Sequence, residues 1–198
     1  MRYQMSRNRK TSKFVALTMF TICSFSATSV TAEGEATATF QRPIYFSLGG
    51  GLAEYVGVAS DFVSTGGTVV AGVGWNAFSH VALEGEFIGS WANVAGGNAG
   101  SYSGILGPRF FTSVGQGSNL GVYVGTGIGV NYSEVNLCGF ACGSVWDTSF
   151  AWGVKGGLEY AFSEGVQGYS DVRYGATSGA PGDGIVSVVI GVRLSPNW

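Results

Sequence analysis

Eight isolated charged side chains are the residues of this sequence best suited to form ion pairs or to carry protons or ions. Each lies among apolar residues and glycines, and four are acidic while four are basic: Glu84, Glu86, Arg109, Lys155, Glu159, Asp171, Arg173 and Arg193. A balanced set of this kind can form a buried ion-pair network, because a buried ion is costly unless an opposite charge lies beside it. A proton or ion path is the functional alternative.

Two specific pairs follow from folding neighbouring segments onto each other. Folding about residue 96 puts Glu84 opposite Arg109, and folding about residue 163 brings Lys155 near Asp171. The remaining four charges complete the set. The sequence therefore predicts an interior network that holds the surrounding wall in register.

Other reactive side chains are few. His80 is the only histidine, and no motif positions the neighbouring Ser79 as a nucleophile, so we expect no catalytic residues. Cys138 and Cys142 form a C-x3-C pair that is far from His80 in sequence, which favours a small disulfide over a metal site in an exported chain. We expect neither a metal nor a cofactor.

These charged residues lie on predicted strands that have two different faces. In one run, residues 120, 122, 124, 126, 128 and 130 are Leu, Val, Val, Thr, Ile and Val, while glycines dominate the intervening positions. A period of two is typical of a β-strand. The charged residues fall on the glycine side of the alternation. An apolar outer face and a polar inner face indicate a barrel in a membrane.

Turn signals divide the sequence into eight such strands. We place them near 43–53, 67–75, 80–91, 101–112, 119–131, 147–160, 166–176 and 185–195. The connections alternate between long ones (54–66, 92–100, 132–146, 177–184) and short ones (76–79, 113–118, 161–165). This pattern predicts an all-β, eight-stranded antiparallel up-and-down transmembrane β-barrel with both termini in the periplasm. Pro108 lies within the fourth strand, where we expect a bulge.

The N-terminal segment has a pattern typical of an export signal. Five basic residues precede a charge-free stretch from Phe14 to Val30, and Val30-Thr31-Ala32 offers a small-residue cleavage site. We therefore expect residues 1–32 to be a signal peptide that is removed and residues 33–198 to form one barrel domain. Removal leaves five basic and twelve acidic residues, an acidic balance that argues against nucleic acid as a partner.

Three segments carry a resemblance to a known family. They are Leu106-Gly-Pro-Arg109-Phe110, Gly156-Gly-Leu-Glu159-Tyr160 and the final stretch from Val188 to Trp198. With the repeated strand-turn pattern, they make the chain similar to the small outer-membrane β-barrel proteins of Gram-negative bacteria, such as the OmpA transmembrane domain, OmpX and the opacity-type porin-like proteins. The resemblance implies that the alternating end, Ile190, Val192, Leu194 and Trp198, is read by the barrel-assembly machinery, although Pro196 departs from the pattern.

Together these observations predict a structural, surface-exposed protein of the outer membrane. In a barrel of eight strands the lumen has room only for side chains, so we expect it to be largely plugged by the paired charges. Outer-membrane lipid and lipopolysaccharide are the expected partners, and the long loops could bind an extracellular ligand that the sequence does not specify. A small diffusion porin is the alternative function, and an enzyme that modifies lipid A is a second alternative.

Overall fold

Eight antiparallel strands close into one barrel, in which neighbours in sequence pair with each other and the first strand pairs with the last. The computed structural model describes residues 43–57, 63, 65–94, 97–115, 117–138, 142–178 and 184–196. The strands are β1 (Ile44–Val56), β2 (Gly66–Phe78), β3 (Val81–Val94), β4 (Gly97–Ser113), β5 (Leu120–Cys138), β6 (Cys142–Ser163), β7 (Val166–Thr177) and β8 (Gly184–Leu194). The predicted all-β, eight-stranded up-and-down barrel is confirmed. The expected signal peptide and Trp198 lie outside the described residues.

The alternation in sequence becomes an apolar outside and a filled inside. On β1, Phe46 and Leu48 point outward with 47% and 63% of their surface exposed, whereas Tyr45 and Ala53 point inward and are buried. The same alternation runs through the other strands, since each residue faces the opposite side from its neighbour. Among the described residues, none belongs to a helix long and apolar enough to span a bilayer.

Aromatic side chains are exposed near both ends of this apolar wall. Trp75, Phe110 and Phe162 lie near the short turns, and Trp91 and Tyr102 lie toward the opposite end. Tyr102 also stacks with its neighbours, with ring centroids 6.4 Å from those of Phe87 and Tyr132. Two aromatic girdles around an apolar band are typical of barrels that cross a membrane.

Two of the connections predicted to be long are instead paired strand. β3 and β4 continue to within two residues of each other, so 92–100 is mostly ladder, and β5 and β6 pair as far as Cys138 and Cys142, which takes up most of 132–146. The prediction failed because these segments carry Asn, Ser, Glu and Gly on both faces. A strand that extends past the apolar band meets water on its outer side and loses the alternation, while its backbone pairing continues.

Pro108 interrupts one ladder without forming the expected bulge. Between β4 and β5, Leu106 pairs with Ile128 and Arg109 pairs with Gly125, so two residues are passed over on each strand and the register is unchanged. A proline has no N–H to donate, which accounts for lost pairing at this point. The register does shift beside two short turns, between Asn76 and Phe78 in β2 and between Ala161 and Ser163 in β6.

Candidate functional site

The eight charged residues singled out from sequence all point into the lumen. They lie in the half nearest the short turns, here called the turn-side half, and the other half is called the loop-side half. Their ion pairs connect them into one chain of alternating charge, here called the charge network, which runs Arg193, Glu159, Arg109, Glu84, Lys155, Glu86, Arg173 and Asp171. Four acids and four bases make the chain electrically balanced.

Arg109 is near the middle of the network. Its Nε lies 2.9 Å from Glu84 Oε1 and its Nη1 lies 2.8 Å from Glu159 Oε2, and all three side chains are at least 94% buried. The guanidinium also lies over the ring of Phe111, 4.6 Å from the centroid. One side chain therefore contacts acids on both β3 and β6. Glu84 and Arg109 lie on neighbouring strands but not directly opposite each other as predicted, because the register offsets them by two residues and their ion pair is diagonal. The contact with Glu159 crosses the lumen.

Lys155 has different partners from the one that sequence suggested. Its Nζ pairs with Glu84 and lies 2.8 Å from Glu86 Oε1, both on β3. Asp171 is bound instead by Arg173, whose Nε lies 2.7 Å from Oδ1. The expected pairing of Lys155 with Asp171 is therefore wrong, because Lys155 stands beside Arg173 in the β6–β7 register and turns across the lumen toward the acids of β3.

Aromatic residues that the sequence analysis did not assign to the site complete it. Tyr45 Oη donates to Glu84 and accepts a hydrogen bond from Arg109 Nε at 3.2 Å, and Tyr123 Oη donates to Asp171 Oδ2 at 2.6 Å. Arg193 lies 4.5 Å from the ring centroids of both Tyr123 and Tyr169. Their inward position was visible in the alternation. The sequence analysis did not consider that buried tyrosine hydroxyls need hydrogen-bond partners, which the charged side chains in the lumen provide.

Inward glycines make room for these large side chains. The ring of Tyr45 occupies the space where a Cβ on Gly74 would stand, and a Cβ on Gly125 would lie 2.9 Å from Lys155 Cε. Real Cβ atoms do not approach other atoms this closely, so neither position accepts a larger residue without movement. The alternation of glycine with apolar residues therefore has a packing cause.

The loop-side half of the lumen is hollow. Above the charge network lies a cavity of about 620 Å³ that reaches from Glu86 and Lys155 toward the loop-side strand ends. Charged and aromatic side chains therefore fill one half of the lumen, and the other half contains this cavity.

The other predicted site residues are placed as follows. The β5–β6 register sets Cys138 opposite Cys142. Ile190, Val192 and Leu194 all point outward and are exposed. His80 is exposed in the short turn after β2, with its Nδ1 2.9 Å from Ser79 Oγ. In the part of the chain that the structure describes, no group of His, Cys, Asp or Glu is arranged to hold a metal ion.

Comparison with known proteins finds solved structures of similar fold. No family model matches the chain, and no curated protein matches it. Among solved structures, Neisserial surface protein A superimposes with a TM-score of 0.61 at 17% identity, over 77% of this chain and 97% of that one. Ail, the attachment invasion locus protein of Yersinia pestis, gives a TM-score of 0.50 at 16% identity, over 76% and 98%.

The chain therefore has the fold of the small eight-stranded outer-membrane barrels. The resemblance drawn from sequence is confirmed at the level of fold.

Proposed function

We propose that this protein is a structural and surface-exposed barrel of the Gram-negative outer membrane, closed to conduction by its charge network. The observation that carries the proposal is the unbroken chain of eight alternating charges across the turn-side lumen, together with the aromatic rings packed around it. An ion entering this half would have to separate buried pairs, and breaking such a pair leaves an uncompensated charge at high cost.

The outer wall supports the assignment to a membrane. The outward side chains are apolar along the strands and are bordered by aromatic side chains at both ends. Every described Lys and Arg belongs to the charge network, so none lies on the apolar wall. In this proposal the wall contacts outer-membrane lipid and lipopolysaccharide, and the outward residues Ile190, Val192 and Leu194, followed by Trp198, engage the barrel-assembly machinery.

The proposal includes no enzymatic activity. A hydrolase site needs a nucleophile and a base that a third group orients. The side chains of Ser79 and His80 contact each other in an exposed turn. In the proposed orientation this turn faces the periplasm.

Planar-bilayer recording tests closure of the lumen. The wild-type barrel should give no large, stable conductance steps, and flotation of the protein with lipid vesicles would verify that it has inserted. Large and stable steps from the inserted wild type would contradict the proposal and favour the alternative, a small diffusion porin.

Epitope accessibility on intact cells tests the orientation. A tag inserted in the connection after β7 should bind antibody on intact cells, because this connection lies on the loop side. The matched control is the same tag at Glu164, in the short turn between β6 and β7, which should react only after the cells are opened. The reverse result would place the termini outside the cell.

Mass analysis with and without reductant, after alkylation, tests the proposed Cys138–Cys142 disulfide.

A further inference from the structure

The hollow loop-side half of the lumen has a chemical character of its own. Inward positions of the turn-side half carry large rings such as Tyr45, Phe111 and Tyr123, whereas Ala99 and Ala151 are inward residues of this half and leave space unfilled. At about 620 Å³ the cavity has the size of a typical small-molecule site. The interior of an eight-stranded barrel is just wide enough either to be filled by side chains or to hold one small ligand.

Branched apolar side chains line much of this cavity. Ile88, Ile105, Ile185 and Val135 face it from four different strands. Apolar surface around a cavity gains free energy when it contacts another apolar group instead of water. The body of a molecule that fits here should therefore be apolar.

Polar groups in the cavity are neutral except at its base. Ser101 and Ser103 both donate to Asn131 Oδ1, at 2.7 and 2.8 Å, and the buried Tyr55 Oη has no hydrogen-bond partner among the described residues. The charged groups at the base, Glu84, Glu86, Lys155 and Arg173, are already paired within the charge network. A ligand with a net charge would find no free counter-charge, whereas a hydroxyl or carbonyl group would find partners.

We propose that the loop-side cavity, with Ile88 and Ile105 on its wall, Tyr55 and Asn131 as polar contacts and the charge network as its base, binds one small neutral molecule that has an apolar body and a hydroxyl or carbonyl group. The charge network closes the cavity toward the turn side, so the molecule enters and leaves from the loop side. Binding of this kind requires the barrel alone, and it does not depend on whether the connections bind anything outside the cell.

Photocrosslinking with benzophenone tests this proposal, because the probe is neutral, aromatic and carries a carbonyl group. Full-length mature protein in lipid nanodiscs would be irradiated with increasing probe, and the labelled residues mapped by mass spectrometry. Labelling of inward residues such as Ile88 and Ile105 should saturate. Labelling of the outward residues Phe87 and Leu106 should rise in proportion to the probe dissolved in lipid, and it serves as an internal reference.

A filled cavity provides the decisive control. Ala99→Phe should lower inward labelling about tenfold, equivalent to losing roughly 1.4 kcal/mol of binding, and leave outward labelling unchanged. Ala71→Phe, which adds the same ring on the outer face, should change neither. Circular dichroism would verify folding, and Ala151→Leu replaces Ala99→Phe if that variant does not fold. Wild-type labelling confined to outward residues, or inward labelling that survives filling, would overturn the proposal.

Discussion

The two halves of the lumen are built by the same eight strands and yet have opposite interiors. In the turn-side half, inward positions carry charged and aromatic side chains that contact one another across the barrel, and Ala82 is completely buried among them. In the loop-side half, inward positions carry Ala, Ser and Ile around a cavity. The comparison shows that strand number sets only the width of the lumen, and that side-chain size decides whether it is a core or a pocket.

Removing the Glu159 side chain should cause the largest loss in the free energy of unfolding, because it disrupts the turn-side half. Its Oε2 is shared by Arg109 and Arg193, and the side chain is 1% exposed, so Glu159→Ala leaves two buried guanidinium groups without that carboxylate. Loss of one partner of a buried pair typically costs about 3–5 kcal/mol. We expect that loss in the free energy of unfolding, measured by denaturant titration with tryptophan fluorescence.

Glu54→Ala is the matched control, because Glu54 is an exposed acid on β1. It should change the free energy of unfolding by less than about 0.5 kcal/mol. Equal effects of the two substitutions would mean that the charge network does not stabilise the turn-side half.

The sequence alone could predict which residues face inward, but not which of them meet. Period-two alternation assigned Glu84, Arg109 and Lys155 to the lumen, because a strand has only two faces. Pairing was inferred by folding adjacent strands together, which can relate Glu84 to Arg109. It cannot relate Lys155 on β6 to Glu86 on β3, since that contact crosses the lumen and depends on the closed barrel.

The loop-side half was harder to predict for a related reason. The extended hairpins β3–β4 and β5–β6 lie partly beyond the apolar band, where polar residues are found on both faces and no alternation marks the strand. The cavity was not foreseen either. Alternation shows that a residue such as Ala99 faces inward, but it does so equally for small and large residues. Only the distance across the barrel shows whether the space beside a small inward residue is filled.

Glycine substitution should separate a packed position from an open one. The ring of Tyr45 occupies the space where Gly74→Ala would place a Cβ, and Tyr45 is held by Glu84 and Arg109. Overpacking of this kind typically costs about 1–3 kcal/mol. Denaturant titration should show a loss in that range.

The matched change at Gly104 meets no atom within 4 Å. Gly104→Ala should leave stability unchanged or raise it by about 0.4–1 kcal/mol, because alanine restricts the unfolded chain. If both glycine variants were equally stable, Tyr45 could move at no cost, and the turn-side half would be less tightly packed than its contacts indicate.

The smallest effect is expected when the same substitution, alanine to valine, is made in each half of the lumen. Ala82→Val adds two methyl groups in the turn-side core, where Ala82 is completely buried beside the charge network, and should cost about 1 kcal/mol. Ala99→Val adds them at the edge of the cavity, where there is space to accept them, and should change the free energy of unfolding by less than about 0.5 kcal/mol. A cost at Ala99 equal to that at Ala82 would mean that the loop-side lumen is closed in solution, and a binding pocket there would then require the strands to move.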